Sequence, residues 1–226
     1  MIKKHIPNLL TCCNLLCGCL GILFLFKGHA EWVPYFVWAA AGFDFLDGFA
    51  ARLLGVSSPI GAELDSLADM VTFGVLPALL VVHLLAGIDP SWLVYGGLII
   101  AVFSALRLAK FNVDTRQTEG FLGLATPADA LFFTSIPLLS NEYFGWLREP
   151  YTLLAFAVGF ALLMVSEIPF FALKFKAFNW KDNKLQFSAL IISVLLLAFL
   201  QANALPVIIL GYIAVSLALY GRKAIS

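Results

Sequence analysis

Apolar residues run along this 226-residue chain in eight long stretches, roughly 8–27, 31–54, 62–86, 91–112, 125–141, 151–173, 185–201 and 204–221. Only short polar connections interrupt them. A bilayer-spanning helix needs about 20 mostly apolar residues, and most of the stretches are close to that length. None has the two-residue alternation that marks a transmembrane strand. The pattern predicts an all-α, polytopic helical membrane protein with about eight transmembrane helices, folded as a single domain over residues 1–226.

Composition sharpens the exclusions. The chain is 62% hydrophobic and 12% charged, against about 45–50% and about 25% for a soluble domain. A water-soluble globule and a disordered chain are excluded, as is a nucleic-acid binder, which needs a basic surface. Net charge is zero, with 14 Lys and Arg against 14 Asp and Glu, so only the placement of charge is informative. The first run resembles a signal peptide but is longer than an h-region and is interrupted by Asn8, Thr11 and Asn14. Cys12, Cys13, Cys17 and Cys19 lie inside it without a zinc-ligand spacing and read as small packing residues.

If the spans alternate, one side receives Lys3, Lys4, Arg52, Arg107, Lys110, Arg116, Lys174, Lys176, Lys181, Lys184, Arg222 and Lys223, and the other only Lys27 and Arg148. By the positive-inside rule both termini are then cytoplasmic. Trp32, Tyr35, Trp92, Tyr95, Tyr143, Trp146 and Tyr151 fall at the outer ends, where an interfacial aromatic belt belongs, with Trp180 and Tyr220 on the inner side.

Against this background, Asp44, Asp47, Glu63, Asp65 and Asp69 stand in or beside the second and third stretches. One acid at the centre of a membrane helix costs about 2.5–3.5 kcal/mol, so something must offset the group. At helical spacing Asp44, Asp47, Gly48, Ala51 and Arg52 form one polar stripe, and Gly61, Asp65 and Asp69 form another. Gly55-Val56-Ser57-Ser58-Pro59 between them has the composition of a turn. The result is an antiparallel hairpin whose four aspartates converge about a third of the way in from the cytoplasm. Acid-only oxygen donors suit hard cations such as Mg2+ or Mn2+, and one Arg cannot balance four acids. Gly48, Ala51 and Gly61 clear the stripes for a bulky phosphorylated ligand. A metal pair is a common device for holding a pyrophosphate. The alternatives for the same acids are a buried ion network joining helices, or the pathway of a cation or proton-coupled transporter. The first is poorly served by one Arg for four acids. The second predicts acids spread along a path rather than clustered on one hairpin.

The spacing Asp44-x2-Asp47-Gly48-x2-Ala51-Arg52-x8-Gly61-x3-Asp65-x3-Asp69 resembles, without a departure, the signature of the CDP-alcohol phosphotransferases. That resemblance implies displacement of CMP from a CDP-linked lipid by an alcohol. It implies two divalent ions, Mg2+ or Mn2+, held by Asp44, Asp47, Asp65 and Asp69, with Asp69 as base. It further implies a nucleotide and CDP-lipid site formed by Gly48, Arg52, Ser58 and Gly61, with Asn8 and Thr11 either lining that pocket or capping the first helix.

Further stretches are similar to the bacterial and archaeal phosphatidylserine synthase subfamily: Ile6 to Thr11, Asp65 to Ala78, Leu106 to Asn112, and Phe121 to Ala128. They place the catalytic core at about 6–130 and leave 150–226 as additional transmembrane helices. Lys110, Ala125 and Asp129 depart from the expected pattern. The implied donor is CDP-diacylglycerol and the implied acceptor L-serine, in a prokaryotic cytoplasmic (inner) membrane, with a homodimer as the family's habit. Glycerol phosphate, inositol phosphate or choline as acceptor, or an archaeal-type lipid as donor, remain open. A zwitterionic acceptor needs a cation for its carboxylate; Arg107 and Lys110, with Asn112, are the candidates, or else serve as ordinary inner-side cations. Asp129 is placed to pair with one of those cations. Glu167 has no assigned role.

Overall fold

Helix boundaries in this chain follow ordinary capping chemistry. The computed structural model describes residues 5–56, 58–113, 121–170 and 183–220. Helix α1 spans His5–Phe26 and α2 spans Val33–Leu54. Pro34 sits in the first turn of α2, where its missing N–H is harmless. Gly55 ends the helix in the left-handed region at φ 60°. Helix α3, Pro59–Asp69, starts on Ser58, whose hydroxyl accepts the Gly61 N–H at 3.0 Å. A π-helical turn, Met70–Val75, then leads into α4, Leu76–Leu84.

A 3-10 turn, Ser91–Leu98, opens α5, Ile99–Val113. Helix α6 covers Thr126–Ser135, α7 Asn141–Phe144, α8 Pro150–Val165, α9 Lys184–Leu200 and α10 Ala204–Tyr220. Strands β1, Phe121–Leu122, and β2, Pro169–Phe170, form a two-residue antiparallel bridge between the loop before α6 and the segment after α8. Gly123, at φ 76°, is needed there, because an added Cβ would lie 2.2 Å from the Met164 carbonyl oxygen.

Two apolar cores hold the bundle. One packs α1 and α2 against the π-turn, α4 and α6 through Leu25, Val37, Phe73, Leu76 and Leu80. The larger one joins α4, α5, α6, α8 and α10, with Phe132 and Phe160 at 4.5 Å between ring centroids. Helix α1 approaches the π-turn closely because Gly18 and Gly21 carry no side chain. A Cβ at Gly18 would come 2.4 Å from the Thr72 hydroxyl oxygen, and one at Gly21 2.6 Å from Leu76.

The protein is an integral membrane protein. Among the described residues, four helical stretches can cross a bilayer by length and composition: His5–Phe26, Pro59–Leu84, Ser91–Val113 and Lys184–Leu219. The pair Asn141–Arg148 and Pro150–Val165, bent by 71°, adds a fifth if it is one span. The stretch Lys184–Leu219 takes in α9 and α10, joined through a 3-10 turn at Gln201–Asn203. Helix α2 has the length for a span but carries Asp44, Asp47 and Arg52. The expected span at 125–141 is a shorter object: α6 has 10 residues and continues for three more as a 3-10 turn. At 1.5 Å per residue this covers only about 20 Å. Every residue of Phe132–Ile136 is buried, so its apolar character answers to the protein core and not to lipid thickness.

All seven aromatic residues expected in the outer belt are exposed. They stand where α2, the turn before α5, and α8 begin. Lys3, Lys4, Arg116, Lys174, Lys176, Trp180, Lys181, Arg222 and Lys223, counted toward orientation above, lie outside the described residues, as does Ser57 of the expected turn.

Candidate active site

The α2–α3 hairpin matches the sequence expectation and sets the level of each acid. Asp47 lies seven residues before the end of α2 and Asp65 six residues into α3, roughly 10 Å from the turn in both cases. Asp44 and Asp69 lie one turn deeper. Asp44, Asp47 and Asp65 each offer a carboxylate oxygen, and these oxygens all lie within 4.8 Å of one another. One Asp65 oxygen, Oδ1, is buried without a hydrogen-bond partner among the described residues. Three carboxylates gathered so closely, with an orphaned oxygen among them, fit a divalent cation with hard-donor preference. Glu63 is exposed and takes no part.

Helix α1 holds this cluster from the side. The Thr11 hydroxyl donates to Asp47 Oδ2 at 2.6 Å and is 3.1 Å from the Pro7 carbonyl. Asn14 donates from Nδ2 to Asp69 Oδ1 at 3.1 Å, and its own carbonyl accepts from Thr72 in the π-turn at 3.2 Å. Asp69 therefore has company of its own, outside the group of three. Asn14 was seen in the sequence only as a polar interruption. The signal that could have marked it is the three-residue recurrence of Asn8, Thr11 and Asn14, which places polar groups along one side of an otherwise apolar helix.

Beside the three acids opens a cleft of about 220 Å³. Of the residues expected to hold nucleotide, Asn8, Thr11, Gly48, Ser58 and Gly61 line it, together with Asp47 and Asp65. Gly61 keeps it open, since a Cβ there would come 3.0 Å from both Asn8 Oδ1 and Ser58 Oγ. Arg52 is exposed, with Nη1 3.7 Å from where a Gly48 Cβ would stand, so its guanidinium hangs over the glycine at the cleft's edge. Ser58 has a structural task as well, as the cap of α3.

The three residues expected to bind the acceptor go to different partners. Arg107 is 8% exposed, donates from Nη1 to Thr126 at 3.1 Å, and has an Nε without a partner among the described residues. Its charge is close enough to Asp69 to interact with it. Lys110 forms an ion pair with Glu167 at 3.6 Å, which gives Glu167 a partner that the sequence did not reveal. Asn112 donates to Ser66, next to Asp65, at 2.9 Å. The expected pairing of Asp129 with Arg107 or Lys110 is corrected here. Asp129 is fully buried and neither of its oxygens has a hydrogen-bond partner among the described residues. It stands in the first turn of α6, whose packing buries it completely.

The family model for CDP-alcohol phosphatidyltransferase matches residues 4–220. Three curated relatives are each named CDP-diacylglycerol–serine O-phosphatidyltransferase. The one from Bacillus subtilis (strain 168) is 34% identical over 167 residues, 74% of this chain and 90% of its own. The one from Mycobacterium tuberculosis (strain H37Rv) is 36% identical over 173 residues, 73% of this chain and 60% of its own. The one from Methanocaldococcus jannaschii is 34% identical over 165 residues, 73% of both. The family match extends past residue 130, where the recognisable motifs end, into α10.

Proposed function

The chain belongs to the CDP-alcohol phosphatidyltransferase family, and from that premise we propose that it transfers the phosphatidyl group of CDP-diacylglycerol to the hydroxyl of L-serine, releasing CMP. The observation that carries the chemistry is the meeting of Asp44, Asp47 and Asp65 oxygens within 4.8 Å at the wall of a cleft lined by Asn8, Thr11, Gly48, Ser58 and Gly61. The acceptor assignment rests on three relatives bearing one activity name.

Asp44, Asp47 and Asp65, with Asp69 beside them, would hold two divalent ions, Mg2+ or Mn2+. When bound, these supply positive charge to a pyrophosphate and to the charge that develops during transfer. The chain's own groups do the rest. Thr11 fixes the Asp47 carboxylate by its 2.6 Å bond. Gly48 and Gly61 leave space for the nucleotide, and Arg52 supplies a cation at the cleft's edge. Asn14 holds Asp69 through Oδ1, leaving Oδ2 to take the hydroxyl proton of serine as general base. The serine oxygen then bonds to the lipid-bearing β-phosphorus, the bond from that phosphorus to the bridging oxygen breaks, and CMP departs with the electron pair. The signature contains no Cys or His nucleophile, so we assign direct displacement.

Arg107 is the residue we assign to the serine carboxylate. It is buried, interacts with Asp69, and has an uncommitted Nε, whereas Lys110 is tied to Glu167. We place the active site at the cytoplasmic face of a prokaryotic inner membrane, with both termini on that side. The exposed aromatic belt at the opposite helix ends supports this. We further propose a homodimer, supported by α9, none of whose residues is buried in the described structure.

The test of the acceptor assignment is Arg107→Gln. It should raise KM for serine by about tenfold or more, since a charge-assisted bond contributes about 1.5–3 kcal/mol, and leave the affinity for CDP-diacylglycerol nearly unchanged. An unchanged KM for serine removes Arg107 from the site.

A further inference from the structure

Arg107 is a buried cation whose hydrogen-bond and ring partners are neutral. Among the described residues the ion pairs are His29–Glu31 and Lys110–Glu167, and Arg107 is in neither. Its Nη1 donates to the hydroxyl of Thr126, a fully buried residue at the start of α6, at 3.1 Å. Its Cζ lies 5.6 Å from the ring centroid of Phe111, one turn along α5. From a third element, α10, the phenol of Tyr212 is close enough to interact with the guanidinium.

The β1–β2 bridge seats both oxygens. The Gly123 N–H donates to the Ile168 carbonyl and the Leu124 N–H to the Leu163 carbonyl, each at 3.0 Å, which fixes the chain just before Thr126. Phe170, whose register partner across the bridge is Phe121, packs on the Tyr212 ring at 5.6 Å between centroids. Ile209 and Ile213, on either side of Tyr212 in α10, are buried in the larger core. Two segments far apart in sequence thus meet at one arginine.

The neutrality of these partners has a chemical consequence. A carboxylate in the place of Thr126 would pair with the guanidinium and cancel its charge, as Glu167 does for Lys110. A hydroxyl and a phenol instead orient the planar fork and leave its charge for an incoming anion. Ordering a long arginine in advance also removes the rotamer entropy that binding would otherwise cost.

We propose that Thr126 and Tyr212 are positioning residues for the acceptor, which fix the Arg107 guanidinium so that its charge meets the serine carboxylate beside Asp69. This rests on the assignment of Arg107 to that carboxylate made above. It also gives α10, which lies beyond the recognisable motifs, a part in the active site.

The test is steady-state kinetics of the full chain in detergent, with serine and CDP-diacylglycerol varied separately. Loss of one hydrogen bond weakens binding by a few-fold to about tenfold. Thr126→Val should raise KM for serine about fivefold, and Thr126→Ser, which keeps the hydroxyl, should restore it. Tyr212→Phe keeps the ring on Phe170 and the start of α6 as they are, and should raise KM for serine about threefold. KM for CDP-diacylglycerol should hold in all three, and the change should fall on KM for serine rather than kcat. In the Arg107→Gln chain neither substitution should add to the loss, since the group being positioned is gone. A raised KM for serine in Arg107→Gln with no change in Thr126→Val or in Tyr212→Phe overturns the inference and leaves the acceptor assignment intact. Equal rises in KM for both substrates, or additive losses in the Arg107→Gln chain, overturn it as well. An unchanged KM for serine in Arg107→Gln overturns both readings.

Discussion

Asp69 and the three acids near it are chemically identical side chains in different company, and the difference sets separate expectations for each. Asp44, Asp47 and Asp65 share one small volume. Replacing any of them by Asn keeps shape but removes the charge a cation requires. CMP release should fall to background in each variant while the protein still elutes as a folded species in detergent. Near-normal release from two of the three would remove the metal assignment. Asp69→Asn should lower turnover far more than CDP-diacylglycerol binding, because a base acts mainly in the transition state. Equal losses in single-turnover and binding measurements would make Asp69 a ligand only. Asn14→Leu, which removes the bond to Asp69, should cost about 10–100-fold in turnover, the usual range for losing a group that orients a metal-site carboxylate. The four aspartates were legible in the sequence because their spacing alone puts them on facing helix sides. Asn14 was not, because its meaning depends on which helix lies opposite.

Among the elements, α1 and the Gly123 loop do the positioning. Asn14 reaches Asp69 only because Gly18, one turn further along α1, lets the helix lie against Thr72. Gly18→Ala should therefore separate α1 from the π-turn and lower both stability and turnover. Gly123→Ala meets two penalties, a left-handed backbone at about 1–2 kcal/mol and overpacking against Met164 at about 1–3 kcal/mol. A thermal midpoint lowered by several degrees checks it, and an unchanged midpoint would contradict the close approach. Hydropathy marked where α1, α2, α9 and α10 run, since their ends coincide with turns in polarity. It extended the segment at 125–141 beyond α6, because a short helix enclosed by other helices is as apolar as one in lipid. It also gave no sign of the bend between α7 and α8.

For the molecule as a whole, fold class and reaction class were readable from composition and from one 26-residue signature. The partners of Arg107, Lys110 and Asp129 were not, because they depend on how α5, α6 and the segment after α8 meet. The proposed dimer predicts twice the 24.7 kDa chain mass in native mass spectrometry from detergent, and a monomer alone would contradict it. The central claim is tested most directly by one assay: purified chain with CDP-diacylglycerol, Mn2+ or Mg2+, and serine, glycerol phosphate, inositol phosphate or choline in parallel, with lipid products separated and CMP quantified. The account predicts CMP release dependent on serine, stoichiometric phosphatidylserine, and loss of both in EDTA. Product formed with another alcohol but not with serine, or undiminished in EDTA, would contradict it.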